Sequence, residues 1–288
     1  MTETARCQTE PVAVSKEGRL RWWKELALAG VFYGIYTTIR DLFGSSGAAA
    51  NGNSVNPVAV AHAYGHALDI IHLERSVGLY DEPRLQRWYL SLAAHGLIRV
   101  WNIYYGSLHF LLPIAALVWL YRARPGTYRL WRNTLAATTA LALVGFSAYD
   151  LMPPRLLDAS GRYGACNPGY HLGCHPQGVV DTLSRYGGLW NFGSGAMANI
   201  SNQYAAMPSL HTAWATWSAL VLWQLIGRGR ARATVALYPA ATVLCIIVTG
   251  NHYWIDAVAG LATLGCGYLL AAGLSQATRI VGRYKANL

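Results

Sequence analysis

Six apolar stretches, at roughly 25–43, 104–121, 131–149, 209–226, 232–250 and 255–275, constrain this chain more than anything else in it. Each approaches the ~20 residues that a helix needs to cross ~30 Å of hydrocarbon. Arg40, His109 and Asn133 lie inside or near the first three. The composition agrees, since 53% hydrophobic against 12% charged residues, with 11 tryptophans, is an unusual balance for a soluble domain. The expected fold is an all-α integral membrane protein. A cytoplasmic tail, 1–22, precedes a single six-helix membrane domain, 23–288.

Two long segments fall outside the spans. Between 44 and 103 the chain carries His62, His66, Asp69, His72, Glu74, Arg75, Asp81, Glu82, Arg84 and Arg87 among apolar residues such as Ile70, Ile71, Leu73, Val77, Leu85 and Leu90. That mixture fits an interfacial helical insertion, helices lying at the membrane surface or packed over the bundle, or a solvated loop with two short helices. The segment 152–207, rich in Gly, Pro, Asn and Tyr, is long enough to be a lid rather than a connector.

Basic residues set the orientation, because short loops rich in Lys and Arg stay in the cytoplasm. They gather at Lys16, Arg19, Arg21 and Lys24; at Arg122, Arg124, Arg129 and Arg132; at Arg228, Arg230 and Arg232; and at Arg279, Arg283 and Lys285. For six spans these are the N-terminus, the second and fourth connections and the C-terminus, so charge pattern and span count agree. Both termini are expected inside the cell membrane, with the segments 44–103 and 152–207 and the turn Gly250-Asn251-His252 together on the extracytoplasmic face. The net charge of +10 is then a rim meeting anionic lipid, which argues against a nucleic-acid partner. The polar first 20 residues show no cleavable signal peptide, and the first apolar run is long enough to stay as an anchor.

Of the five cysteines, Cys166 and Cys174 lie in the outer segment, Cys245 and Cys266 in spans and Cys7 in the tail. In an oxidising outer compartment the first two favour a disulfide pinning the lid. A zinc site of Cys166, His171, Cys174 and His175, or two free thiols, are the alternatives.

The chemistry concentrates at three outer helix ends. Pro208 suits the first turn of a helix, and the free amides of that turn with the Ser209 hydroxyl make an anion site, beside which His211 projects. His252 and Asp256 stand four apart, on one face if the turn is helical, so that the carboxylate holds one ring nitrogen and leaves the other free to attack. In Tyr149-Asp150-Leu151-Met152-Pro153-Pro154-Arg155 the prolines stop a helix and hold a guanidinium suited to clamp phosphate. Singly, each has an ordinary explanation in packing, interfacial anchoring or chance. Their joint appearance is harder to dismiss, because ionisable groups near hydrocarbon carry a cost and need a reason.

These residues resemble the type 2 phosphatidic acid phosphatase superfamily, whose six-helix members carry three motifs in this order; the likeness covers most of the chain from about 104 onward. It implies that Arg155 and Ser209 bind phosphate, His211 protonates the leaving oxygen, His252 forms a phosphohistidine and Asp256 orients it, without metal or cofactor. Two motif cations are absent, since Ala148 stands where the family usually has Lys and Cys245-Ile246 where it has Ser-Arg. Leu156 also replaces the usual proline after the arginine. Arg75, Arg99, Arg162 and Arg185 are candidates to substitute, with Arg75 favoured.

The Pro153-Pro154-Arg155 and Thr249-Gly250-Asn251-His252-Tyr253 forms look like the inositol phosphorylceramide synthase-like, inositolphosphotransferase subgroup. That likeness implies a phosphatidylinositol-like phospholipid donor and a lipid or sugar alcohol acceptor. Arginine outnumbering lysine suggests a high-GC bacterium such as an actinobacterium. If water replaces the alcohol, the enzyme is a lipid phosphate or isoprenoid pyrophosphate phosphatase. Tyr163, Tyr170, Tyr186, Trp190 and Phe192 are placed to stack on a sugar ring or to form an interfacial belt. A non-catalytic lipid transporter, with His211, His252 and Asp256 relaying protons, is the alternative of another class; no inverted repeat or pair of broken spans supports it. Ala259, Thr263 and Gly267 form a stripe of small residues that permits close helix approach, within the chain or between chains.

Overall fold

The structure, a computed structural model, describes residues 20–43, 55–92, 96–189, 202–227 and 229–286. Cys7, Lys16, Arg19, Trp190, Phe192 and Arg228, with 44–54 of the insertion and 190–201 of the outer segment, lie outside them. The helices, in chain order, are α1 (Trp22–Phe43), α2 (Pro57–Ser76), α3 (Glu82–Ser91), α4 (Gly96–Ala123), α5 (Pro125–Ala148), α6 (Pro154–Leu157), α7 (Thr182–Tyr186), α8 (Leu210–Leu225), α9 (Arg230–Val248) and α10 (Trp254–Ala286). Local chemistry sets several of their starts. Pro57 follows the cap Asn56, whose Oδ1 accepts from the Val58 amide at 3.0 Å, and Asp181 caps α7 by accepting from Ser184 N at 3.1 Å.

Three of the described helices are long and apolar enough to cross a membrane: Gly96–Ala123, Arg230–Val248 and Trp254–Thr278. α8 is apolar but only 16 residues long, and α5 spends part of its length on buried Thr134, Thr138 and Thr139. α4 starts at Gly96, ahead of the apolar run at 104, because its first turns are engaged: the Asn102 amide donates to the carbonyls of Thr182 at 2.9 Å and Gly187 at 2.7 Å.

Burial runs opposite to that of a soluble domain. Leu269, Leu237 and Phe110 are 70%, 66% and 53% exposed, whereas Glu74, Glu82, Arg155, His252 and Asp256 are all buried. Outward apolar surface on this scale suits hydrocarbon, and buried charge needs partners and a purpose.

α10 lies along α5 and α8, α8 packs on α4 and α9, and α1 packs on α5. Two glycines permit the approach of α10. A Cβ on Gly267 would collide with the backbone and side chain of Thr138 in α5, and one on Gly260 with the carbonyl of Ser209. The small-residue stripe therefore serves packing within the chain at Gly267. Trp217, fully buried, ties α8 to α5 by donating from Nε1 to the Trp131 carbonyl at 2.9 Å.

The two ends of the bundle differ. At one, Arg132 of α5 pairs with Glu25 of α1 at 2.7 Å, Tyr121 donates to the Leu20 carbonyl, and Arg232 lies 4.0 Å over the Trp223 ring. At the other, α2 and α3 cover the first turn of α10, and the chain from 149 to 189 is laced over the helix ends. There Leu151 N donates to Tyr204 O at 2.8 Å, Met152 N to Ala63 O at 3.1 Å and Arg155 N to Gly250 O at 2.7 Å. In its described part the 44–103 segment is thus two packed helices, α2 and α3, followed by the first turns of α4.

Gly267→Ala is expected to destabilise by about 1–3 kcal/mol through overpacking. Gly265→Ala, where an added Cβ meets nothing within 4 Å, is expected to be neutral or slightly stabilising. Thermal midpoints of the two variants in lipid check the difference.

Candidate active site

The turn joining α9 to α10 is wound tightly enough to aim a side chain. Asn251 N and His252 N both donate to the Ile246 carbonyl, at 2.9 and 3.3 Å. Gly250, just before them, has φ +70°, and a Cβ there would lie 3.1 Å from Gln86 Nε2 and from Val179 Cγ1 and 3.3 Å from Arg155 Cβ. Glycine is required on both counts. Since α10 begins only at Trp254, His252 precedes the helix and does not share a helical face with Asp256. The carboxylate instead reaches back over the turn: Asp256 Oδ2 accepts from Tyr253 N at 3.0 Å and sits 3.2 Å from His252 Nδ1. A carboxylate at Nδ1 places the proton there and leaves the Nε2 lone pair available.

That Nε2 lies 3.3 Å from Nδ1 of His211. His211 occupies the first turn of α8, whose cap is Ser209: the Ser209 hydroxyl accepts from Thr212 N at 3.4 Å. Pro208 therefore precedes the cap and does not occupy the first turn: the helix starts at Leu210, two positions later than expected. The two histidine-bearing elements are joined through the backbone, because Ser209 N donates to the Asp256 carbonyl at 3.0 Å. His211 is further held by ring stacking, with Tyr105 at 4.1 Å and His109 at 4.0 Å, and His109 in turn stacks on Trp214 at 4.5 Å. Both Tyr105 and His109 come from α4, one turn apart.

Arg155 reaches the same place from α6. It is buried, and its guanidinium donates from Nε to Asn251 Oδ1 at 2.9 Å, from Nη1 to Asp181 Oδ2 at 3.2 Å and from Nη2 to Gln203 Oε1 at 2.6 Å. Asn251 adjoins His252 in sequence, so the guanidinium is anchored beside the histidine pair. Among the described residues, three of its five N–H groups are used in these bonds.

Arg155 also lines a cavity of about 600 Å³ whose wall includes Arg162, Arg185, Asp158, Asp181 and Gln203. Arg162 and Arg185 bring positive charge to it. The cavity's two acids are committed to the framework: Asp158 accepts from the amides of Gln177, Gly178 and Val179 at 2.6–3.1 Å, and Asp181 caps α7 and pairs with Arg155. Arg75 and Arg99 are exposed and do not line this cavity; Arg75 donates to Gln177 Oε1 at 3.2 Å and lies over the Tyr80 ring. At the missing-cation positions, Ala148 ends α5, and Ile246 is buried against Leu85, Tyr105, Val243 and Trp254. Cys166 and Cys174 are joined in a disulfide, which takes both sulfurs out of the zinc alternative.

Several residues at the site were not singled out from sequence. Asn251 stood inside the third motif with no role assigned to it, Gln203 lies outside the motifs, and Asp181 lies far along the chain. His109 did carry a signal, an ionisable side chain inside an apolar run. Glu74 and Glu82, whose carboxyls accept from Ile255 N at 2.9 Å and Trp254 N at 3.2 Å, show that the 44–103 segment reaches the catalytic turn. Their sequence setting gave no hint, because a helix partner so distant in the chain has no local pattern.

No curated protein and no solved structure matches the chain. The model of the PAP2 superfamily does, over residues 68–270, a stretch that takes in α2 from its middle, the covering segment, both histidines and most of α10. A buried arginine, a histidine in the first turn of one helix and a second histidine oriented by Asp256 before the next are thus found within the matched region, and the chain belongs to the PAP2 superfamily, the type 2 phosphatidic acid phosphatases and their phosphotransferase relatives.

Proposed function

We propose that this protein is a membrane-embedded phosphotransferase that works through a phosphohistidine at His252 and moves a phosphoinositol-type head group from a phospholipid to a lipid or sugar alcohol. The observation that carries the reading is the hydrogen-bonded line Asp256–His252–His211, at 3.2 and 3.3 Å, with Arg155 anchored next to it. In the first half, His252 Nε2 attacks phosphorus, the bond from phosphorus to the departing lipid oxygen breaks, and His211 gives that oxygen its proton. Asp256 holds the Nδ1 proton and offsets the positive charge that grows on the imidazole. In the second half, His211 takes the proton of the incoming hydroxyl as its oxygen attacks phosphorus and the P–N bond breaks. No metal or cofactor enters this scheme.

Electrostatics is most of what a protein can offer phosphoryl transfer. With Ala148 and Ile246 at the usual cation positions, Arg155 works with Arg162 and Arg185 from the covering segment, and Ser209 supports the anion at the start of α8. The cavity has room for a sugar- or inositol-sized head group. The acyl chains belong in the bilayer, crossed by α1, α4, α5, α8, α9 and α10, with both termini cytoplasmic and the site on the outer side of the cell membrane. The basic clusters at the far end of the bundle support that orientation. Hydrolysis of a lipid phosphate or pyrophosphate is the second reading. It is favoured by Ser160 and Gly161, exposed residues of the cavity wall through which water can enter.

The test uses protein in lipid with a donor labelled at the head-group phosphorus and a panel of lipid and sugar alcohols. Label appearing on an acceptor establishes transfer; label released only as free phosphate or head-group phosphate establishes hydrolysis and overturns the transferase reading. In either case His252→Ala is expected to lower the rate by at least about a thousandfold, and a rate independent of His252 overturns the mechanism.

Two further variants test the cation arrangement. Asn251→Ala, which frees the Arg155 guanidinium from its anchor, is expected to lower kcat/KM by about 10- to 100-fold, the worth of a hydrogen bond to a charged group. Arg162→Gln with Arg185→Gln is expected to raise KM by about 3- to 10-fold with less change in kcat, as loss of partly exposed charge contacts should. Steady-state kinetics on the labelled donor reads both.

A further inference from the structure

Three carboxyls converge on the first turn of α10. Asp256 accepts from Tyr253 N, Glu82 of α3 from Trp254 N and Glu74 of α2 from Ile255 N, at 3.0, 3.2 and 2.9 Å. Helix amides left open at an N-terminus attract anions, and here the chain fills those of the nucleophile-bearing helix with its own side chains. Asp256 is accounted for by His252. Glu74 and Glu82 are not: no motif contains them, they are 0% and 1% exposed, and each has its other oxygen, Oε2, buried without a donor among the described residues.

Two buried acceptor oxygens on neighbouring carboxyls are both satisfied by a single proton held between them. Two full negative charges there, with Asp256 adjacent, would repel one another in a site that excludes water. We propose that Glu74 and Glu82 form a proton-sharing carboxyl pair that positions the His252 turn, tying the insertion helices α2 and α3 to the catalytic centre; the positioning role rests on His252 being the nucleophile. Consistent with this, the Glu74 carboxyl is raised from its ordinary 4.5 to about 9, first by burial and then by its hydrogen bond with Glu82 and that residue's charge. The other titratable groups facing the pair are Tyr80 from the connection between α2 and α3, and Tyr253 and Asp256 at the start of α10.

The sign of the pH effect follows. A carboxyl that keeps its proton in the folded state, and loses it near 4.5 when unfolded, contributes stability fully present at low pH. That contribution declines as pH rises toward about 9. Glutamine at either position copies the protonated member: its oxygen accepts the helix amide, and its NH2 donates to the remaining carboxylate. Glutamine at both positions sets two NH2 groups against each other with no acceptor between them.

The experiment compares wild type, Glu74→Gln, Glu82→Gln, the double variant and Glu74→Ala as full-length protein in lipid. It reads thermal midpoints from pH 5 to pH 9, and kcat and KM on the labelled phospholipid donor. Expected are a falling midpoint with pH in wild type, a flatter course in Glu74→Gln, kcat within about threefold for each single Gln variant, and a drop of tenfold or more in kcat, at little changed KM, for the double variant and Glu74→Ala. A midpoint slope unchanged by Glu74→Gln, or single Gln variants as damaged as the double one, overturns proton sharing. Intact kcat in the double variant and Glu74→Ala overturns the positioning role. Should His252→Ala remain active, the phosphohistidine reading falls and the positioning role with it, while the stability measurements still decide whether the pair shares a proton.

Discussion

Asp256 holds the reactive end of this molecule together. One oxygen of its buried carboxylate meets the His252 ring and the Tyr253 amide, and its backbone carbonyl takes the amide of Ser209. A single residue thus fixes the tautomer of one histidine and the approach of the helix that carries the other. The tolerance is narrow, because phosphoryl transfer needs attacking and departing groups on opposite sides of phosphorus, and small misplacements are costly in rate. Gly260 is part of the same arrangement: only without a Cβ can α10 come close enough to Ser209 for its N–H to donate to the Asp256 carbonyl.

The second constraint is charge. A buried guanidinium in a bundle with an apolar exterior must be compensated, and Arg155 is compensated by Asn251, Asp181 and Gln203, from three different parts of the chain. Only Asp181 carries charge, so one carboxylate neutralises the arginine at rest. Asp181 also caps α7, so the neutralising carboxylate belongs to the covering segment. Arg162 and Arg185 come from the same segment, whereas the helices carry Ala148 and Ile246 at the usual cation positions.

The apolar runs were legible as helices in their general position; the run at 232–250 agrees with α9 within two residues, whereas α10 continues eleven residues past its run, to Ala286. The ends were less so. α4 runs eight residues further toward its N-terminus than its apolar run because Asn102 finds partners in α7, and α8 stops at 16 residues. Three of the described helices meet the requirement for crossing a membrane by length and apolarity alone; in α5 polar groups such as Thr134, Thr138 and Thr139 are turned into helix contacts and dilute the apolar signal. At the site, spacing suggested the right pair in His252 and Asp256 for a reason that did not hold: the four-residue separation works through a capping turn and not through a helical face. Arg75, by sequence the favoured extra cation, lies over Tyr80 outside the cavity that Arg162 and Arg185 line. Proximity created by folding, as between α3 and α10, leaves no periodic trace in sequence.

The helix N-termini at this end are capped in different ways, and the difference sets the charge around each of them. At α10 the amides of residues 253, 254 and 255 are filled by Asp256, Glu82 and Glu74, so that end repels an anion despite its favourable dipole. At α8 the cap is a neutral hydroxyl, and the acid that meets Ser209 does so through its carbonyl. The start of α8 is thereby left without an acidic side-chain cap, and it carries His211, which faces His252 Nε2. Acidic capping of one helix and neutral capping of the other make the two ends electrostatically unlike, and the Arg155 guanidinium, anchored through Asn251 beside His252, adds positive charge between them and the covering segment.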